Sequence, residues 1–530
     1  MNDNQLRVKV YSSGSTEVQD ADLDLATALT FTTGYPGGLY LECSFYVPRD
    51  ITSTWSVQLG QRMKALNGQT TAWEGYITKI EPTLTADGQG VTVKAIGAWG
   101  FYLMTRKWRK WWADSRIDDA LWFWDTAQSA SEKCTIDRNS RMRFTPKAEQ
   151  WAPNEQAGVI YTSPTGETIK RVTFDYDLQE GVQSWLFWIY NAAAGAAMTT
   201  VTTSNPTPGT RIAYDSGTLA TPTQTIEYLF KAHPAAPQTP KSDGTYYAEI
   251  ANVVIYSEVG NINGQEIAKD VRAKVTEFSA TDANIGALTL SLVPFISEVD
   301  TMADILTRAA NYGDASYNRW AAYVGSSELS TDDKPVLVLE QVPALTDYDY
   351  AVRVNEDNVT STLTFAQDLE GVRNWVAVRY RNALGADVYM TPDDDANLKD
   401  DDSINGTNGK PKAGQREEWL DVDTTNATAA ANYARRVMLA RKDPQWQASG
   451  ELSVTGYIRA KDGSHVPASQ IRAGKRVKLE NWLNDLSGSG LTFLITGTNY
   501  TDDGQACSLS IGQDDSLDVL LARLAAEMKK

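Results

Sequence analysis

Two stretches at opposite ends of the chain follow one plan, and this echo constrains the fold more than any other feature. From Trp73 to Ile80 a strand-like run leads to an Asp87-Gly88-Gln89 turn, and Val91-Val93-Ala95 brings the chain back to Gly97. From Thr492 to Tyr500 a second run leads to Asp503-Gly504-Gln505, and Cys507-Leu509-Ile511 returns to Gly512. Period-two alternation on both sides of Asp-Gly is a β-hairpin signature. A strand of its own precedes each hairpin, Trp55-Val57-Leu59 in one case and Val477-Leu479 in the other. The shared plan predicts two similar β-barrels made by duplication.

The chain's 530 residues exceed one core, so several domains are expected. Thr and Val recur throughout, with 24 Tyr, 16 Trp and 37 Gly, a mixture that suits turn-rich sheets. The fold class read from this is mainly β: two barrels, α+β connecting domains and a β-sandwich set between them. The first barrel covers 1–110 and a helical connector 111–140, with an amphipathic helix from about Ile117 to Ala130. The sandwich covers 141–260, where about seven strands alternate with Pro/Gly/Ser/Thr loops. An α+β domain follows at 261–445. It holds a helix over Val299–Tyr312, capped at Asp300-Thr301 and stopped at Gly313, and another over Thr424–Lys442. Residues 391–418, rich in Asp, read as a mobile acidic loop. The second barrel segment is 446–513, and 514–530 reads as a docking helix.

Several chemistries are excluded or left without support. With only two histidines, His233 and His465, both in proline or turn contexts, no Ser–His–Asp or Cys–His nucleophile is read. No HExxH and no Gly-rich phosphate loop occurs, so no catalytic, metal or cofactor residue is assigned. The acidic clusters Asp393–Asp395 and Asp400–Asp402 lack EF-hand spacing and read as a solvated loop. A net charge of −18 disfavours nucleic acid as a partner. No stretch reaches the roughly 20 apolar residues of a membrane-spanning helix, and no export signal is read at the N-terminus.

Two groups remain as candidate contact residues. The run Arg106, Lys107, Trp108, Arg109, Lys110, Trp111 and Trp112 combines residue types enriched at interfaces, and its reading is a subunit contact. The competing reading is a basic patch that meets acidic neighbours. On the sandwich strand, Trp185, Phe187 and Ile189 share a core-like face, leaving Trp188 and Tyr190 as candidate glycan contacts.

In order along the chain, the segments TTAWEGYITKIEPTLTADGQGVTVKAIGAWGFYL (70–103), LEGVRNWVAVRYRNALG (369–385), IRAGKRVKLENW (471–482) and ITGTNYTDDGQACSLSIGQDDSLDVLLARL (495–524) resemble the baseplate hub, or tail-associated, proteins of long-tailed bacteriophages. The resemblance covers roughly 1–110 and 270–530. It implies a structural, non-enzymatic trimer at the distal tail tip, in the virion tail and assembled in the host cytoplasm. Three chains would present six similar barrels to a hexameric tail tube, and would hold the tape-measure protein and tip or fibre proteins. The inserted sandwich, whose closing strand YYAEIANVVIYSE resembles the end of a carbohydrate-binding jelly roll, is expected to face outward, towards a host surface glycan or a neighbouring tail protein. The alternatives are a polysaccharide-active enzyme or a free-standing host adhesin carrying a carbohydrate-binding module.

Overall fold

The computed structural model describes residues 6–512, apart from 13–15, 19–20, 38, 86–87, 116–121, 125–133, 138–140, 147–155, 164–165, 179–184, 192–195, 202–210, 221, 223, 233–247, 259, 261, 293, 343–346, 354–357, 368, 383–385, 423, 445, 450, 481–490 and 502–504. The expected docking helix at 514–530 lies outside the described residues. The fold is mainly β.

The echo extends well beyond the hairpins. In the first half the strands are β1 (Thr27–Gly34), β2 (Tyr40–Pro48), β3 (Arg62–Asn67), β4 (Thr70–Thr85) and β5 (Gly88–Ile96), paired antiparallel in the order β3-β4-β5-β2-β1. In the second half β6 (Val359–Ser361) and β7 (Thr364–Gln367) stand in for β1, while β8 (Trp446–Ser449) and β9 (Leu452–Thr455) stand in for β2. They are followed by β10 (Arg476–Glu480), β11 (Leu491–Thr501) and β12 (Ala506–Gly512), giving the antiparallel order β10-β11-β12-β9-β6 with β7 on β8.

Register makes the correspondence residue by residue. Each hairpin carries one bulged residue, Thr78 or Thr496, at the same distance from its base. Each bulged hydroxyl donates to a carbonyl across the hairpin, Lys94 at 3.3 Å and Ser510 at 3.2 Å. A bulge bends a strand and raises its twist, so the same bulge at the same place gives both halves the same curl. One strand earlier, Gly60-Gln61-Arg62-Met63-Lys64 matches Gly474-Lys475-Arg476-Val477-Lys478. Gly60 and Gly474 have φ of +80° and +85°, and donate to the carbonyls of Ile77 and Ile495, both at 2.8 Å. Leu29-Thr30-Phe31 similarly matches Leu363-Thr364-Phe365.

The two halves are not independent. β1 pairs antiparallel with β11, from Phe31↔Tyr500 to Gly34↔Gly497, joining them in a 14-stranded sheet over one hydrophobic core. Phe31 stacks on Tyr500 with ring centroids 4.1 Å apart. The strand expected at Trp55-Val57-Leu59 is irregular; the preceding strand is instead β3, three residues later.

Among the described residues the inserted module is built on two facing sheets, one of five strands and one of seven, the latter completed by Phe295–Ser297 from beyond the module. It begins earlier than residue 141, because Trp122–Trp124 pairs with Gln156–Thr162, and Cys134–Asp137 pairs with Arg141–Pro146. Trp122–Trp124 is a strand within the amphipathic helix expected over 117–130, since three consecutive aromatics favour an extended backbone; the remainder of that span lies outside the described residues.

Between the module and the second half lie α1 (Gly264–Lys274) and α2 (Met302–Asn311). Thr301 and Asp304 form a reciprocal cap at the start of α2, and Gly313 follows it at φ +68°. A further subdomain interrupts the β7–β8 connection. Its three-stranded sheet (Trp375–Arg381, Asp387–Met390, Glu417–Val422) packs one face on α4 (Ala427–Arg441), and the short α3 (Asp401–Asn405) lies alongside.

Candidate interaction surfaces

The basic aromatic run lies mostly inside the chain. Lys110–Asp114 forms a strand between Ala248–Tyr256 and Phe295–Ser297. Adjacent residues of a strand face opposite sides, so its two indoles enter different cores. Trp111 packs edge-on to Tyr161 and donates to Ser163 Oγ at 2.7 Å. Trp112 packs on Phe295 and donates to Asp270 Oδ2 at 2.7 Å. Both are 0% exposed, so neither ring offers a surface to a neighbouring subunit.

Lys110 and Arg106 of the run have acidic partners in the chain. Lys110 is buried against Glu258 (3.1 Å) and Asp270 (2.9 Å) and sits over the rings of Trp108 and Trp112. Arg106 makes a two-pronged pair with Glu277, which holds the guanidinium charged and the Glu277 carboxyl below its usual range. Lys107 and Arg109 are exposed and Arg106 and Trp108 are half-buried, so any contact through this run falls on these four rather than on Lys110, Trp111 and Trp112.

Trp188 and Tyr190 lie on the strand Trp185–Asn191, opposite Leu229 and Glu227. Their side chains lie outside the described residues.

The acidic segment is ordered, contrary to the mobile loop expected. Asp395 and Asp400 cap short helical turns, and Asp402 accepts from Thr407 at 2.5 Å and Asn408 at 2.9 Å. Asp400 also pairs with Lys410 and Lys442. These carboxylates are spent on caps and ion pairs, and no group of three metal-ligating side chains occurs among the described residues. His465 is exposed and stacks on Tyr457 at 4.0 Å, while His233 lies outside the described residues.

A second ionic cluster pins the first half to the loop after Trp320–Gly325. Arg62 and Lys64 pair with Asp333, while the buried Glu74 accepts from the Ser327 N–H at 2.9 Å. Burial pushes the Glu74 carboxyl up, against the pull of Lys64 and Arg62.

Sequence reasoning passed over one surface. On the sheet face opposite α4, Trp419 and Tyr389 are 55% and 54% exposed, with ring centroids 6.1 Å apart, and Trp375 is 6.2 Å from Trp419. Arg379 lies among them and pairs with Asp421 at 2.6 Å. The alternation Trp375, Ala377, Arg379 on one strand and Trp419, Asp421 on its neighbour was the available signal.

No protein-family model matches the chain, and no curated protein matches it. Among solved structures, it is similar to the tail protein from Neisseria meningitidis MC58, at 10% identity and a TM-score of 0.44, covering 96% of this chain and 97% of that one. It is also similar to the 43 kDa tail protein of prophage MuSo2 from Shewanella oneidensis, at 13% identity and a TM-score of 0.40, covering 97% and 100%. These neighbours are tail proteins. Over 24% of this chain there is similarity to a family 29 carbohydrate-binding module, at 15% identity, 77% coverage of that chain and a TM-score of 0.16.

Proposed function

We propose that this chain is a structural, non-enzymatic phage tail protein that forms a trimeric hub at the distal tail tip. The observation that carries the reading is the internal repeat: two halves with the same strand order, the same bulge and the same glycine-led strand, joined head to tail by β1 on β11. A chain with two equivalent halves can make a ring of three copies that presents six equivalent surfaces, which is what joining a three-fold tip to a six-fold tube requires. In this reading the tail tube, tape-measure protein and tip or fibre proteins are the partners. The inserted module projects from the ring towards a host surface glycan, and the particle sits in the virion tail after assembly in the host cytoplasm. The rival enzyme reading would need a titratable pair in a cleft, whereas Asp395 and Asp400 of the acidic segment are committed to caps and ion pairs.

Light scattering coupled to size exclusion tests the proposal: the expected species has about three times the 58.3 kDa chain mass. A monomer at all concentrations would overturn it, and glycan hydrolysis by the purified chain would favour the enzyme.

A further inference from the structure

The pairing of β1 with β11 uses one edge from each half, and the corresponding edges of the opposite halves carry no strand among the described residues. On β11, β10 covers Leu491–Leu494 and β1 covers Gly497–Tyr500 of the same edge. On β4, β3 covers Thr70–Tyr76, and Lys79–Thr85 beyond the bulge pairs only with β5. Likewise β1 lies between β2 and β11, whereas β7 pairs only with β8.

Side chains at the open edge point the same way. Where β1 ends, Tyr35 donates its N–H to the Thr496 carbonyl at 3.1 Å and covers Gly474, its ring 2.5 Å from where a Cβ would stand. Ala473, next to that glycine, is 3% exposed in the cluster with Tyr35. At the equivalent place in the first half, nothing lies within 4 Å of a Cβ on Gly60, and Leu59 is 64% exposed. Leu84, at the far end of the same edge, is 71% exposed. The residue matching Tyr35 after β7 is Leu369, which is also exposed at 36%. Each half therefore has an apolar element whose counterpart is covered inside the chain and uncovered outside it.

We infer that β7 of one copy pairs antiparallel with the Lys79–Pro82 edge of β4 in a second copy, repeating between chains the β1–β11 contact made within one. The register follows from Phe31↔Tyr500: Phe365 opposite Pro82, Ala366 opposite Glu81, Gln367 opposite Ile80. Leu369 then covers Gly60 and Leu59 as Tyr35 covers Gly474 and Ala473. Pro82 has no N–H to give, so the ladder ends there, and this edge discourages longer, out-of-register pairing. The contact is head to tail rather than self-complementary, so it closes only as a ring. The number of copies rests on the hub reading; the identity of the paired edges does not.

Directly opposed residues in antiparallel strands have Cα atoms about 4.5–5.5 Å apart, within disulfide range. In the full chain, E81C mixed with A366C under mild oxidation is expected to give a covalent dimer, and the E81C/A366C double variant a closed covalent oligomer. E81C mixed with T364C, two residues out of register, serves as the control. L59D, at an exposed position, is expected to weaken association by about tenfold or more while leaving the unfolding midpoint unchanged. An oligomer that forms without the E81C–A366C bond, or crosslinks as well through T364C, would overturn the strand pairing and leave the hub reading standing. A chain that stays monomeric would overturn both.

Discussion

Asp400 gives the most quantitative handle on the segment that looked disordered in sequence. Its side chain is 14% exposed. It accepts from Lys442 Nζ at 2.8 Å, from Lys410 Nζ at 3.1 Å and from the Ser403 N–H at 2.8 Å. Burial alone would raise its pKa, but Lys442, the Ser403 N–H and Lys410 outweigh it and hold the carboxyl down at about 2. Against an ordinary value of 3.8, this amounts to about 2 kcal/mol of stability. The folded-state value is depressed, so the contribution is complete above about pH 5 and is lost as pH falls towards 2. Asp400→Asn keeps an acceptor for the cap and removes the charge, so a loss of about 1–2 kcal/mol is expected at pH 7. The gap between wild type and variant should shrink to about half at pH 3. Urea-dependent hydrogen exchange of peptides spanning 396–414 reads both values. Equal losses at pH 7 and pH 3, or none at pH 7, would refute the assignment of the stabilisation to the Asp400 charge.

Three further outcomes follow from packing. Thr496→Val should cost about 1 kcal/mol in urea unfolding, because Thr496 is 7% exposed and its hydroxyl is bonded, whereas Thr78→Val at the exposed equivalent should change little. Gly97→Ala should reduce stability by more than about 3 kcal/mol or prevent folding, since a Cβ there would stand 1.8 Å from the Tyr40 carbonyl oxygen, and circular dichroism of the expressed variant checks this. The thiols of Cys43 and Cys507 are buried and pushed far above their usual range by desolvation, so Ellman's reagent at pH 8 should leave both unmodified until denaturant is added.

The parts of the fold that were legible in sequence were those with strong local signals. The Asp-Gly hairpins, the cap at Thr301 and the helical spans of α2 and α4 all depend on residues a few positions apart, so period and cap chemistry reveal them. The duplication was visible in the hairpins, but its full extent was not. The Gly-x-Arg-x-Lys match at 60–64 and 474–478 gains meaning only once register places both arginines two residues before the bulged threonine in the neighbouring strand. The union of the halves by β1 and β11 joins residues more than 450 positions apart, which no local pattern encodes.

Long-range pairing also explains the misread segments. Residues 391–418 are polar by composition, yet Asp400 finds its lysines at 410 and 442. Trp111 and Trp112 belong to an interface-like composition, but their strand is the seam between two cores, and each indole is hydrogen-bonded to a partner contributed by distant sequence. The exposed Trp419–Tyr389 pair is the converse case. Its residues alternate on separate strands, so the cluster exists only after the parallel pairing of Trp375–Arg381 with Glu417–Val422.

In a closed ring the two halves of each chain occupy equivalent places. Electron cryomicroscopy of the purified full-length oligomer measures this without labels or variants. The expected particle has three chains arranged as a ring of six alike lobes around a channel, with each β7 continuing the sheet of the next chain at Lys79–Pro82 and the inserted modules outside the ring. A particle in which the two halves of each chain occupy unlike environments, or one with the Lys79–Pro82 edge facing solvent, would contradict this arrangement.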